Sequence, residues 1–283
     1  MGVDRFLARL EAIDTPHYRE SRPAGDLDAV LACRWVRVVR RGGQRGPSAI
    51  IPDGCADVMV YDDAPPHVAG PDATTRWTTL HEGTVITGIR LRPGAVRMIL
   101  GCDARAIVNG GALLSDLAPG AARLHLRLLT ADRLSQRHAL LEDWVRGALA
   151  RVASGDLAVI AACRLIAADP RIPLGTIARQ FTWTARTMHR QFRAACGYGP
   201  KHLQRILRIQ AAIRAAHDAA PVRLADVAAA AGYADQAHMT REFRELTGFT
   251  PRELVAKSTS DVGHWLDDAD FFKTADGRSG EIG

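Results

Sequence analysis

Long apolar runs are missing from this chain. No stretch approaches the ~20 consecutive apolar residues that a bilayer crossing needs, so no membrane span is expected. The opening segment, MGVDRFLARLEAID, carries acidic residues throughout and has no apolar core, which predicts that it is not a secretory leader. Cysteine is scarce. The five, Cys33, Cys55, Cys102, Cys163 and Cys196, are odd in number and widely spaced, and none forms a C-x-x-C pair. A reduced, cytoplasmic setting with thiols serving as small hydrophobes fits this pattern better than a disulfide framework. Also missing are a nucleotide-binding glycine loop, a nucleophile elbow and an H-E-x-x-H zinc motif. No enzymatic activity, cofactor or metal is therefore expected.

What is present is an ordinary globular composition, 47% hydrophobic and 24% charged over 283 residues. That length makes two domains the default. The net charge of +6 is unevenly spread. Residues 172–257 hold 13 Lys/Arg against 6 Asp/Glu, whereas residues 258–283 hold 2 against 6. A basic excess confined to one segment is the footprint of a polyanion partner, although basic faces are often merely solvated.

The first ~115 residues read as strand-rich. Short runs of Val, Ile, Thr and Trp at Ala32–Val39, Ser48–Pro52, Ala56–Tyr61, Thr74–Leu80 and Val85–Leu91 alternate with turn formers such as Pro52-Asp53-Gly54, Gly70-Pro71 and Pro93-Gly94. A small antiparallel sheet or barrel is the expectation, followed by a helical turn or two over Ala95–Leu100. Helical spacing then predicts Ala121–Leu129 and Leu134–Ala153, which either form a dimer seam or pack on their own sheet. Ser154-Gly155-Asp156 marks the domain boundary. Beyond it the pattern is helical at Asp156–Ala168, Leu174–Gln180, Thr184–Ala195, Pro200–His217, Leu224–Ala231, Asp235–Thr247 and Pro251–Lys257. The fold class is thus α+β. Residues 1–153 form a sensor or assembly domain of sheet with flanking helices, and 154–257 form an all-α domain of seven helices. An acidic tail spans 258–283, where Trp265, Leu266, Phe271 and Phe272 are the residues able to dock.

The strongest feature is a repeat at an offset of 51. TARTMHRQFRAACGYGPKHL, from Thr184, aligns with DQAHMTREFRELTGFTPREL, from Asp235. Each matched position has a physical role. Thr184 and Asp235 suit a helix N-cap. Met188/Phe192 and Met239/Phe243 are i,i+4 pairs that turn inward. Gly197 and Gly248 suit the left-handed residue after a helix, and Pro200 and Pro251 suit the start of the next. Upstream the offset slips by one, so Ile177-Ala178 aligns with Val227-Ala228. A short helix, a tight turn and a capped helix with a basic outer face is the helix-turn-helix plan. With Met and Phe inward, Arg186, His189, Arg190 and Arg193 face outward in the first unit. Gln236, Ala237, Thr240, Arg241 and Arg244 do so in the second. Arg suits guanine edges, Gln suits adenine, and Ala or Thr methyls suit the thymine methyl. Arg193 and Arg244 lie late in their helices and suit phosphate or solvent. Arg205, Arg208 and Arg214, on the connecting helix, suit either phosphate or solvent. That helix, about 18 residues at 1.5 Å, spans roughly 27 Å, near the ~34 Å turn of a duplex.

The run GYADQAHMTREFRELTGFTP, Gly232 to Pro251, places aromatic, Gln, His, Arg, Phe, Gly and Pro residues at spacings that resemble the AraC/XylS family of regulators over about twenty positions. The resemblance extends over about Asp156 to Lys257 and implies seven helices with two helix-turn-helix units joined by a long helix. It implies base contacts at Arg186, His189 and Arg190 and at Ala237, Thr240 and Arg241, with Gln236 beside them. The chain departs from the family at Thr182, where the first turn usually has Gly, and at Met239, where Phe is usual. In the first half, IPDGCADVMVYDD, HVAGP and GIRLRPGAVRMILG resemble an N-terminal domain found on a subset of AraC-like regulators. The resemblance implies a small-molecule effector and homodimerisation through that domain. It also implies double-stranded promoter DNA as partner, with RNA polymerase as a further one.

Other constellations carry alternatives. Asp53, Cys55, His67 and His81 are metal-ligand types at a spacing that fits no compact zinc pattern. Cys55 sits in a turn, as a thiol sensor or alkyl acceptor would, but also as an inert buried thiol would. Arg90 and Arg92 could hold an anion, or alternate along a strand with Ile89 and Leu91 inward. Trp35 and Trp77 line a pocket or fill the core, the latter being the commoner role. The sequence-specific regulator therefore stands against two rivals: a DNA-repair alkyl-transfer protein with a helix-turn-helix appendage, and a non-specific nucleoid-binding protein.

Overall fold

The computed structural model describes residues 18–39, 47–151, 157–218 and 223–258. The expected boundary at 154–156 and the acidic tail with its four apolar residues lie outside the described residues.

The first half is a sheet. Eight strands, β1 (Tyr18–Ser21), β2 (Leu31–Val38), β3 (Ser48–Ile50), β4 (Ala56–Tyr61), β5 (His67–Ala69), β6 (Arg76–Thr78), β7 (Val85–Leu91) and β8 (Gly111–Leu113), are described. Six of them make an antiparallel sheet in the order β1-β2-β7-β4-β5-β8, and β3 and β6 pair as a separate ribbon. The two-residue period of the strands divides their side chains between faces. Val58, Val60, Ile89 and Leu91 share a core with the helices, while Val36, Val38 and Val85 form a smaller cluster beside it. Trp35, Asp57, Met59, Ile86 and Arg90 turn to the other face, toward the ribbon. Gly88 is forced by this arrangement: the Trp35 ring crosses it, and an added Cβ would lie 2.5 Å from the indole.

Among the described residues four helices flank the sheet: α1 (Val96–Leu100), α2 (Leu114–Leu117), α3 (Ala121–Leu128) and α4 (Leu134–Leu149). Leu124 and Leu128 of α3 and Leu141, Trp144 and Val145 of α4 enter the sheet's own core. Leu126 and Leu129 stay exposed. Helix α4 also carries buried polar groups that tie it to the sheet. Arg137 donates to the Asp62 carbonyl at 2.6 Å and to Asp63 at 2.7 Å. His138 bonds the Trp35 carbonyl at 3.1 Å, and Glu142 accepts from the Ala24 amide at 2.9 Å.

The second half consists of α5 (Leu157–Ala168), α6 (Leu174–Gln180), α7 (Ala185–Cys196), α8 (Pro200–Asp218), α9 (Leu224–Ala230), α10 (Gln236–Thr247) and α11 (Pro251–Ser258). Helix α8 is more than a spacer. Leu203, Ile206, Leu207, Ile209, Ala212, Ile213 and Ala216 bury it almost all round, so both repeats share one core built on it.

The two halves are clasped by loops of the first. His202 of α8 bonds the Ala73 carbonyl at 2.9 Å and Gln210 donates to the Pro52 carbonyl at 2.7 Å. The Thr75 amide donates to the Leu246 carbonyl at 3.0 Å. Ile51, Ala73 and Val108 pack against the helical core. Trp77, read as a core or pocket residue, is neither. It is 54% exposed and rests its ring edge-on against Phe249, with centroids 5.9 Å apart.

Candidate nucleic-acid interface

Each repeat builds the same unit. In the first, the Trp183 amide donates back to the Ala178 carbonyl at 2.8 Å, closing the turn between α6 and α7. In the second, the Tyr233 amide donates to the Ala228 carbonyl at 2.9 Å. The turn residue is left-handed in both, Thr182 at φ 53° and Gly232 at φ 77°. The departure at Thr182 therefore leaves the turn geometry intact, at the energetic cost of a β-branched residue in a glycine-favouring region. Thr182 compensates in part by donating its hydroxyl to the Phe181 carbonyl at 2.7 Å.

The helix ends follow the repeat. Thr184 Oγ1 accepts from the Thr187 amide at 3.1 Å, and Asp235 Oδ1 from the His238 amide at 2.6 Å. These bonds satisfy orphan donors at the helix starts. Gly197 and Gly248 close α7 and α10 with φ of 84° and 74°. Pro200 and Pro251 open α8 and α11, and before α11 Thr250 and Glu253 exchange bonds as a capping box.

Burial separates the faces. Met188, Phe192, Met239 and Phe243 are at most 5% exposed. Opposite them, Arg186, His189, Arg190 and Arg193 on α7 and Gln236, Ala237, Arg241 and Arg244 on α10 are exposed. Thr240 is half-buried, with its hydroxyl donating to the Gln236 carbonyl at 2.9 Å, which leaves its methyl as the group to offer.

Two of the connecting-helix arginines, read as phosphate or solvent residues, have another role. Glu242, on the inner side of α10, is 5% exposed. Its carboxylate takes Arg205 Nε at 3.0 Å and Arg208 Nη2 at 2.8 Å, and Arg205 also reaches Glu245 at 2.6 Å. Arg208 lies over the Tyr233 ring, 5.2 Å from its centroid. This cluster fixes α10 to α8. The first unit has Gln191 where the second has Glu242, so the repeat gave no hint of it.

The first half has its own polar site. A cavity of about 80 Å³ lies between sheet and ribbon, bordered by Tyr18, Trp35, Asp53, Cys55, Asp57 and Arg90 among others. Arg90, 5% exposed, is bonded to Asp57 at 3.1 Å and Glu20 at 3.2 Å, with Asp53 at 3.7 Å. Trp35 Nε1 donates to Asp57 at 2.8 Å. Ile89 and Leu91 face the core, as the strand alternation required, and Arg92 bonds the Asp28 carbonyl at 2.8 Å. Burial, with Asp53 adding to it, pushes the Cys55 thiol well above its ordinary range. Among the described residues no three His, Cys, Asp or Glu side chains converge as metal ligands. Cys55 and Asp53 are joined only by the Cys55 amide donating to the carboxylate at 2.8 Å. His67 Nδ1 bonds the Pro65 carbonyl at 2.9 Å.

Residues 177–257 match the family model of a helix-turn-helix domain, and residues 19–111 match that of a domain of unknown function, DUF6597. No curated protein matches the chain. Among solved structures, ToxT from Vibrio cholerae O395 is similar at 10% identity and a TM-score of 0.42, covering 86% of this chain and 99% of its own. Unsaturated fatty acid-bound ToxT from Vibrio cholerae strain SCE256 is similar at 12% identity and a TM-score of 0.40, covering 74% and 90%.

Proposed function

We propose that this chain, a DNA-binding transcription regulator with an AraC-type helix-turn-helix domain at its C-terminus and DUF6597 at its N-terminus, reads specific promoter DNA with both units. In this reading α7 and α10 enter successive major grooves. Arg186, His189 and Arg190, and Gln236, Ala237, Thr240 and Arg241, meet base edges, while Arg193 and Arg244 meet phosphates. The observation that carries the reading is the same on both helices: a buried Met–Phe edge backed by an exposed, arginine-bearing face. Replacing Arg241 by Ala should weaken binding to the preferred site by about 1–3 kcal/mol and relax the preference at one base position. Undiminished specificity in a gel-shift titration at fixed salt would overturn the assignment.

A small-molecule effector acting through the first half belongs to the same reading. The cavity, at about 80 Å³, has room for a few waters rather than a ligand of ordinary size, so an effector would enter by widening it, which spreads the three-pair ribbon. The loops beside that ribbon carry the Pro52, Ala73 and Thr75 contacts to α8 and α10. Spreading the ribbon would therefore load the clasp on the second unit, the differential contact that allostery requires. The regulator acts in the cytoplasm, as a homodimer, and with RNA polymerase as its further partner. Sedimentation of the purified chain tests the dimer. A DNA-repair alkyl-transfer role through Cys55 or Cys102 is disfavoured, because burial raises both thiols and so works against the nucleophilic thiolate.

A further inference from the structure

The first recognition helix does not stand alone. Helix α7 shares a crevice of about 610 Å³ with the first half of the chain, between α1 and the single turn Ala104–Ala106. Arg97 and Arg105 line it from one side, and Arg186, Arg190 and Arg193 from the other. Asp103, the one carboxylate among the described lining residues, is bound by Arg105 through Nη2 at 2.7 Å and Nε at 2.9 Å. Among the described residues, five guanidinium groups thus line a half-open space beside one carboxylate. The juxtaposition is built into the packing. An added Cβ at Gly197, the residue closing α7, would lie 1.9 Å from Val108 Cγ2 and 3.3 Å from the Ala104 carbonyl oxygen.

We propose that this crevice takes the DNA backbone flanking the groove that α7 enters, with Arg97 and Arg105 as phosphate contacts supplied by the N-terminal domain. The inference rests on the DNA-reading function proposed above and extends the interface beyond the helix-turn-helix domain. Among the described residues the crevice is lined chiefly by charged and polar side chains, most of them arginines, the donors that phosphodiester backbones meet. Its openness suits a strand passing through. Arg186 and Arg190 border both the crevice and the outward face of α7, so a strand held here is the one beside the bases they meet. The N-terminal domain thereby acts on DNA affinity directly as well as through the clasp.

The test is the salt dependence of binding by the full chain to its selected site. Each lost phosphate contact lowers the slope of log K against log salt by about 0.9. The Arg97→Ala/Arg105→Ala double variant should lose about 1–2 in slope, the full 2 requiring DNA to draw the exposed Arg105 away from Asp103. It should weaken specific and non-specific DNA alike and leave base preference unchanged. Arg105 and Asp103 are exposed enough that the fold should survive, and the thermal melt checks this. Asp103→Asn keeps the amide-accepting cap of the Ala104–Ala106 turn but removes the counter-charge, and should tighten binding several-fold. An unchanged slope in the folded double variant overturns the proposal. So does a crevice that responds only to tripolyphosphate, read as a thermal shift that the double variant abolishes. Neither result touches the Arg241 test, whose failure would sink the underlying reading instead.

Discussion

Glu242 offers the sharpest test of how the second recognition helix is held. Its carboxylate is 5% exposed and bonds Arg205 and Arg208, whose side chains are 22% and 12% exposed. Replacing Glu242 by Ala leaves Arg208 charged, nearly buried and facing a gap. Removing one partner of a buried ion pair costs about 3–5 kcal/mol, mostly because the other charge stays desolvated. Arg205 keeps Glu245 at 2.6 Å, an exposed partner of small worth, so the low end applies, about 3 kcal/mol. For a domain of this size each kcal/mol shifts the melting temperature by roughly 4–8 °C, so the helical circular-dichroism melt should drop by roughly 12–24 °C. A loss under about 1 kcal/mol in urea titration would refute the reasoning. A companion measurement separates structure from DNA contact. Arg208→Ala should lower stability yet leave the salt slope of DNA binding at the wild-type value, since its guanidinium is committed to Glu242.

Thr182→Gly relieves a left-handed β-branched residue, and the gain outweighs the lost Phe181 carbonyl bond and the added chain entropy; stability should rise by about 1 kcal/mol. A lower melting temperature in that variant would contradict it. His138 is held neutral by burial, its pKa lowered to about 4 from 6.5. The unfolded chain binds this proton below about 6.5 and the fold does not until about 4. Stability should therefore fall as pH drops through that window, by about 3 kcal/mol in all. His138→Gln, which can still donate to the Trp35 carbonyl, should flatten the pH dependence of the urea midpoint, and an unchanged slope would count against the assignment.

The helical half was largely readable from local pattern because its determinants are local. Caps, left-handed closing residues, helix-opening prolines and i,i+4 stripes each lie within one helix or its flanks. The structure starts α8 at the predicted Pro200 and ends α7 one residue beyond the predicted Ala195. The strands β1, β5 and β8 escaped notice: at three or four residues they are too short to show alternation, and they exist because a neighbour pairs with them. Contacts distant in sequence were equally invisible. Arg205 and Arg208 read as phosphate or solvent residues, because Glu242, the partner that lies beneath them, is more than thirty positions away. Trp77 looked like core, yet its partner is Phe249. Arg90 alternated as expected, but nothing local revealed that its face would be closed over Glu20, Asp53 and Asp57. The crevice at α7 needed the placement of one half against the other.

The most direct measurement for the whole account is selection of bound sites from random DNA with the full chain at fixed salt. Two helices reading one face of a duplex should enrich two short elements about 10 base pairs apart, with the preference in one element relaxed by Arg241→Ala and in the other by Arg190→Ala. Recovery of a single element, or of no preferred sequence at all, would contradict the claim that both outward faces read bases.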